Sequence, residues 1–275
     1  MTQPHTTTVI LPGKPRLMQY FKSILRHSPL IRTFVLREIK VKYAQTYLGI
    51  LWSIIQALVG LGIITLFFGY LMQIDTAPLP YPVFAFAGMM GWYYFSLVVA
   101  YSGSSLVQSQ HLVQKVSFPK IIIPIAYAIT GLFEFVLWTL LMLVLLLAFG
   151  QALTFKILLV PVFMLLLLFT GLGISLWLAA LTVRYRDLLI IIPYIIGFGI
   201  FVTPVFFPDT MVPEAYAWLL YLNPMAGIIE GLRWCFLGVA APAWQYVAGL
   251  IPVVVLLLTG INHFRGVEVR IPDEL

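Results

Sequence analysis

The sequence predicts an all-α integral membrane fold with six transmembrane helices, and three observations carry that prediction. Of its 275 residues 61% are hydrophobic and 9% charged, with a mean hydropathy of +1.01. A water-soluble domain carries about 25% charged residues, so this composition excludes a cytosolic or secreted domain, and its abundant apolar residues exclude disorder. Apolar runs matching the roughly 20 residues that cross a ~30 Å hydrocarbon core recur near 48–72, 83–103, 121–149, 157–182, 188–206 and 243–264. Finally, 14 of the 16 Lys and Arg fall in the segments 1–47, 104–120, 183–187 and 265–275, leaving only Lys156 and Arg233 for the opposite side. The positive-inside rule then expects these four segments, and both termini, in the cytoplasm.

Residues 1–29 read as a cytoplasmic tail, 30–264 as one membrane domain and 265–275 as a second tail. Within 30–47, Leu30, Ile31, Phe34, Val35, Ile39 and Tyr43 recur at three-to-four spacing between Arg32, Arg37, Lys40 and Lys42. That pattern fits a helix lying in the membrane interface; a basic flank that only fixes topology is the alternative. Nothing in 1–47 has the form of a cleavable signal peptide, so the first span is expected to act as the insertion signal. The +6 net charge is concentrated here, where it meets anionic membrane lipids rather than nucleic acid.

Gly49, Ser53, Gln56 and Gly60 fall on one face if the first span is helical throughout, which suits close helix packing or a wet path. The segment 207–242 is apolar but broken by Pro208, Pro213, Pro224 and Pro242, none of which offers an N–H to a helix. It reads as short helices that dip into the membrane and return, a gate region marked by Pro204, Pro208, Asn223, Pro224, Glu230 and Arg233.

Several chemistries are absent. There is no GxxxxGK[ST] phosphate loop, because Gly13-Lys14 is followed by Pro15, and neither HExxH nor GxSxG occurs. The single cysteine, Cys235, and four histidines scattered at 5, 27, 111 and 263 offer no metal or disulfide framework. The chain therefore reads as a non-enzyme without a cofactor of its own. Glu134 is the one acid inside a span, where a carboxylate costs on the order of 2.5–3.5 kcal/mol. It is either a hydrogen-bonded group facing a neighbouring helix or pore, or a proton carrier. A relay would need a second titratable group, and no other span interior has one.

Further motifs stand in order along the chain. Arg37-Glu38-Ile39-Lys40-Val41-Lys42-Tyr43 leads to Leu48-Gly49-Ile50-Leu51-Trp52. Lys115-Val116-Ser117-Phe118-Pro119-Lys120 precedes the third expected span and Arg184-Tyr185-Arg186-Asp187 the fifth. Thr203-Pro204-Val205-Phe206-Phe207-Pro208 closes the fifth, and Leu222-Asn223-Pro224-Met225 follows. This set, from about residue 30 to 264, resembles the permease subunits of type-two ABC exporters that move O-antigen, capsule or teichoic acid. Thr203 stands where that family often has Ser.

The resemblance implies a transmembrane subunit exporting a lipid-linked polysaccharide across the bacterial cytoplasmic membrane. It would be a homodimer, since six helices leave little room for so wide a pore, with two copies of an ATPase subunit that bind ATP and Mg. The 104–120 segment is expected to dock on the ATPase through Gln108, His111, Gln114, Lys115 and Phe118, with Pro119 ending its helix. Arg184, Arg186 and Asp187 either join that contact or anchor the membrane face. Trp92, Tyr93, Tyr94 and Phe95, the stripe Tyr194, Phe198 and Phe201, and Gln56 are expected to line the substrate channel; lipid facing or helix packing is the alternative for the aromatics. Rival readings are an ion-coupled secondary transporter, for which only Glu134 qualifies, a type-two ABC permease for drugs or lipids, and a receptor or scaffold.

Overall fold

A computed structural model describes residues 17–44 and 47–274. Helices are the only regular elements among them: α1 (Leu17–Arg26), α2 (Ser28–Tyr43), α3 (Leu51–Leu71), α4 (Tyr81–Gln108), α5 (Gln110–Lys115), α6 (Ile122–Ala148), α7 (Phe155–Arg184), α8 (Leu188–Val202), α9 (Ala217–Leu222), α10 (Pro224–Leu237), α11 (Trp244–Val267) and α12 (Ile271–Glu274). Among the described residues five helices, α3, α4, α6, α7 and α11, are long and apolar enough to cross a bilayer. They match five of the six predicted spans to within a few residues.

The fifth predicted span, 188–206, is helical only over the 15 residues of α8, about 22 Å at 1.5 Å per residue. The reason is local. Pro204 disfavours the helical conformation at the residue before it, and Thr203 is extended at φ −98°, ψ 140°. The segment after it is helical in pieces: single turns at Asp209–Met211 and Glu214–Tyr216, then α9 and α10. Pro208 and Pro213 each stand immediately before a piece and Pro224 is the first residue of α10, positions where a missing N–H costs nothing.

Helix α4 is the hub. Val83, Phe86, Met89 and Tyr94 along it are fully buried, packed against α6, α7 and α10. Helix α11 runs along α7, and α2 lies along α6. A second core, at the end that carries most of the basic residues, gathers Tyr20, Phe34, Val113, Ile121, Phe264 and Ile271. It changes the reading of both tails. Leu17, Tyr20, Phe21, Ile24 and Leu25 recur at helical spacing, and α1 buries Tyr20; residues 1–16 lie outside the described residues. At the other terminus α12 packs against α5 and α7. Gly49 is a further correction. Its φ of +51° places it in a turn before α3, a conformation that suits glycine, so only Ser53, Gln56 and Gly60 share the helix.

Candidate functional site

At the basic end, α5 turns Val113 into the core and leaves His111, Gln114 and Lys115 exposed. Phe118 is half-buried against Phe34, ring centres 5.8 Å apart, with Lys120 Nζ 4.4 Å above its ring. Pro119 follows, and the Lys120 backbone N–H donates to Glu268 Oε1. The other carboxylate oxygen accepts from the Tyr20 hydroxyl at 2.6 Å. Burial pushes the Glu268 carboxyl above its usual range, partly offset by the Tyr20 hydroxyl and the N–H groups of Lys120 and Ile121. Burial likewise lowers the Lys120 ammonium. The α5–Pro119 segment is thus strapped to both termini, two contacts that sequence reading missed. Arg184, Arg186 and Asp187 are exposed at the end of α7, which α12 also touches. Gln108 instead donates to Ser104 Oγ at 2.7 Å and borders a cavity with Lys42 and Glu134.

That cavity holds the main electrostatic correction. Glu134 does have a charged partner: Lys42 Nζ, from the last turn of α2, forms an ion pair with Glu134 Oε1. No span interior supplies this base; the interface helix does, by lying along α6. Tyr43, one residue on, meets Phe133 edge-on at 5.9 Å.

The Trp92–Phe95 residues do not form one wall, because successive helical residues point about 100° apart. Tyr94 is fully buried, its hydroxyl donating to Ala128 O at 3.2 Å and its ring edge-on to Phe135. Trp92 and Phe95 are buried together with ring centres 5.3 Å apart. Tyr93 is half-buried against Trp138 at 6.0 Å. Tyr194, Phe198 and Phe201 do form one stripe, 65%, 71% and 59% exposed along α8. The opposite face of α8 is held by Gly199, where an added Cβ would come within 2.9 Å of the Trp92 ring. Gln56 is exposed on α3.

At the far end the gate residues converge. Asn223 caps α10, accepting from Met225 N and donating to Thr203 Oγ1, both at 3.0 Å. Arg233, fully buried, donates through Nη2 to Val205 O at 2.8 Å and through Nη1 to Glu230 at 2.5 Å, and lies 3.7 Å over the Phe84 ring. Tyr81 donates to Phe206 O at 2.9 Å. Pro204 is buried inside this network, and Pro208 leads to Asp209, which accepts from Tyr246 at 2.8 Å. Tyr81 and Phe84 went unread in the sequence; the i,i+3 spacing of Glu230 and Arg233 was the available signal.

Residues 29–237 match the ABC-2 type transporter family model. The chain belongs to the ABC-2 type transporter family. This ABC-2 permease is 30% identical over 244 residues to the O-antigen export system permease protein RfbA of Myxococcus xanthus, covering 88% of this chain and 93% of that one. It is 23% identical over 241 residues to the protein of that name from Klebsiella pneumoniae, covering 87% and 92%. Its identity to the polysialic acid transport protein KpsM of Escherichia coli is 25% over 203 residues, covering 73% and 78%. It is a multi-pass membrane permease with bacterial relatives, a subunit type that carries neither an ATPase domain nor a cofactor, and it works with a separate ATPase subunit.

Proposed function

We propose that this ABC-2 permease is the channel-forming subunit of an ATP-driven exporter that moves a lipid-linked O-antigen or capsule-type polysaccharide across the bacterial cytoplasmic membrane. The observation that carries the reading is the near end-to-end similarity to an O-antigen export permease. In this reading the membrane domain spans 30–264 and both termini are cytoplasmic, because the basic residues gather at one end. The short α8 serves as the fifth of six spans, Thr203–Phe206 extending its reach. The pieces between α8 and α11 form a gate on the far side, fastened by Arg233 and Asn223.

Two copies form the channel and two ATPase chains drive it. The exposed faces of α3 and α8 support this, since Tyr70, Tyr194 and Phe198 are 65–75% exposed in a single copy. His111, Gln114, Lys115 and Phe118 dock on the ATPase, with Arg184, Arg186 and Asp187 beside them. The stripe Tyr194, Phe198 and Phe201 faces the polymer, with Trp92 and Phe95 backing it and Gln56 on α3 facing the same path. Aromatic faces stack weakly on sugar C–H surfaces, which lets a chain slide.

Deleting the chain's gene tests the reading. Surface glycan should disappear and lipid-linked polymer accumulate inside, with both reversed by the plasmid-borne gene. Unchanged surface glycan in the deletion strain would refute it.

A further inference from the structure

Two cavities follow one another along the seam between α7 and α11. On α11, Pro252, Leu256, Thr259 and His263 are spaced i, i+4, i+7 and i+11, and on α7, Thr170, Ile174 and Trp177 are spaced i, i+4 and i+7, so each set shares one helical face. The earlier members of both sets line a cavity of about 420 Å³, which α4 and α8 close from the other side. The later members line one of about 440 Å³ nearer the basic end. Between them the helices touch closely: an added Cβ at Gly260 would come within 3.1 Å of the Gly173 carbonyl oxygen and 3.2 Å of the Trp177 ring. From Pro252 to His263 α11 rises about 16 Å.

The two cavities differ in chemistry. In the first, Thr170 donates to Leu166 O at 2.7 Å, and Asn223 and Thr203 are bonded to each other at 3.0 Å. What remains of its wall is hydrocarbon and ring, chiefly Trp92, Phe95, Ile174, Leu178 and Leu256. A polar ligand would be desolvated there without a partner. The second cavity is amphipathic. Trp177 and His263 stack across the seam with ring centres 4.3 Å apart and planes at 13°, and the indole N–H donates to Thr259 Oγ1 at 3.3 Å. The exposed Asn262 amide and the half-buried His263 imidazole border the same cavity. Neither makes a hydrogen bond among the described residues, so both can donate to a ligand. Trp177 lies seven residues before Arg184, the last of α7, about 10 Å from that end, a depth typical of tryptophan at headgroup level.

This order, donors at headgroup depth and then an apolar space further in, matches one ligand class. A free phosphate would leave the apolar cavity empty, and an alkane would leave the Asn262 and His263 donors unused. A helix of a second copy, about 10 Å across, would have to displace α8 to enter. We infer that the seam is a binding site for a bilayer phospholipid, its phosphate on Asn262 and His263 and one acyl chain running past Leu256 into the cavity behind α8. The site does not depend on what the permease exports. It also accounts for the position of α8, whose only buried residue is Ile192: the acyl chain fills the space between α8 and the bundle that side chains leave open.

The test reconstitutes the full chain with its ATPase partner into vesicles of phosphatidylethanolamine and phosphatidylglycerol. A trace of phosphatidylglycerol carrying a photoreactive diazirine on its acyl chain is the probe, and cross-links are mapped by mass spectrometry. Ile174, Leu178 and Leu256 should be labelled severalfold more than Leu140, which is 54% exposed on α6 outside both cavities. Diacylglycerol with the same diazirine chain, lacking the phosphate, should label the two regions alike. Asn262→Leu combined with His263→Phe, which keeps a ring on Trp177, should lower cavity labelling by phosphatidylglycerol roughly tenfold, the scale of a hydrogen bond to a charged group. Labelling of Leu140 and the amount of folded complex should not change. Ile174→Trp, which fills the cavity, should remove the cavity label while the donors stay in place. Equal labelling of cavity and Leu140 by phosphatidylglycerol, or labelling of Leu140 alone because a second copy covers the seam, would overturn the site. Loss of the cavity label on adding the lipid-linked glycan would assign the seam to the transported lipid and overturn it equally.

Discussion

Arg233 donates to the carbonyl of Val205 at 2.8 Å and so ties α10 to the extended segment that follows α8. Gly88 of α4 leaves the space this contact needs, since an added Cβ there would come within 2.5 Å of that carbonyl oxygen and 3.1 Å of Arg233 Nη2. Replacing Arg233 by Met orphans both Val205 O and the Glu230 carboxylate, and breaking a buried pair from one side costs about 3–5 kcal/mol. The purified variant should therefore unfold at a clearly lower temperature by tryptophan fluorescence. Pairing it with Glu230→Met should recover much of the loss.

The Lys42–Glu134 pair yields a sharper contrast. Glu134→Gln keeps a hydrogen-bond acceptor and removes the charge, so surface glycan should stay within about twofold of wild type. Lys42→Met leaves a buried carboxylate without its partner and should lower both the membrane level and glycan display. The double variant should lie nearer wild type than Lys42→Met alone, the coupling expected of contacting groups. A well-folded Glu134→Gln chain that exports nothing would revive a proton-carrying role.

A pH effect follows from the strap at Glu268. Burial raises its carboxyl in the folded chain above the unfolded value of about 4.3. A raised acid contributes its stability in full below the unfolded value and loses it as pH rises through the folded one. Tyr20 and Lys120 bind the same carboxyl, and Arg265 lies near Tyr20. Amide protection of Ile271–Glu274, corrected for intrinsic exchange, should therefore decline as pH rises through the raised value. Glu268→Gln should flatten that profile.

The docking face separates binding from folding. His111 and Lys115 point outward, so replacing both by Ala should lower co-purification of the ATPase severalfold with the chain's membrane level unchanged. Phe118 packs on Phe34, so Phe118→Ala should lower the membrane level as well. Quantitative immunoblots of membranes and pull-downs read both.

The spans were legible because a helix in hydrocarbon needs an uninterrupted apolar run, and five such runs became helices α3, α4, α6, α7 and α11 with ends a few residues from those predicted. Prolines marked the pieces after α8 for the same reason: Pro208, Pro213 and Pro224 each fit only at a helix start. The polar pairings were not legible. Lys42 and Glu134 are 92 positions apart and meet only because α2 packs on α6. Tyr20 and Glu268, 248 apart, meet only because α1 folds back on the terminus. Arg233 looked like a charge on the far side of the membrane, and its burial depends on the curl of 203–206 against α4. Composition sets where helices lie; which of their side chains touch is a property of their packing.

The last prediction concerns α8. Its orientation is set from behind, since Gly199 rests on Trp92 with no space for a Cβ, and this turns Tyr194, Phe198 and Phe201 outward as one stripe. A polymer that must slide is better served by many weak contacts than by a few strong ones. Stacking on aromatic side chains contributes roughly 1–3 kcal/mol per base in other polymer binders, and sugars should sit at or below the low end. Single Ala replacements should then reduce glycan display modestly, and the triple replacement steeply, at constant membrane level. Gly199→Val should act differently, pushing α8 off Trp92 and rotating the whole stripe, so that one substitution on the opposite face reproduces the triple defect. A Phe198→Cys variant should react with a water-soluble thiol reagent while the ATPase cycles. Labelling of that variant by lipid-phase reagents alone, in every nucleotide state, would place the stripe against lipid and remove it from the polymer path.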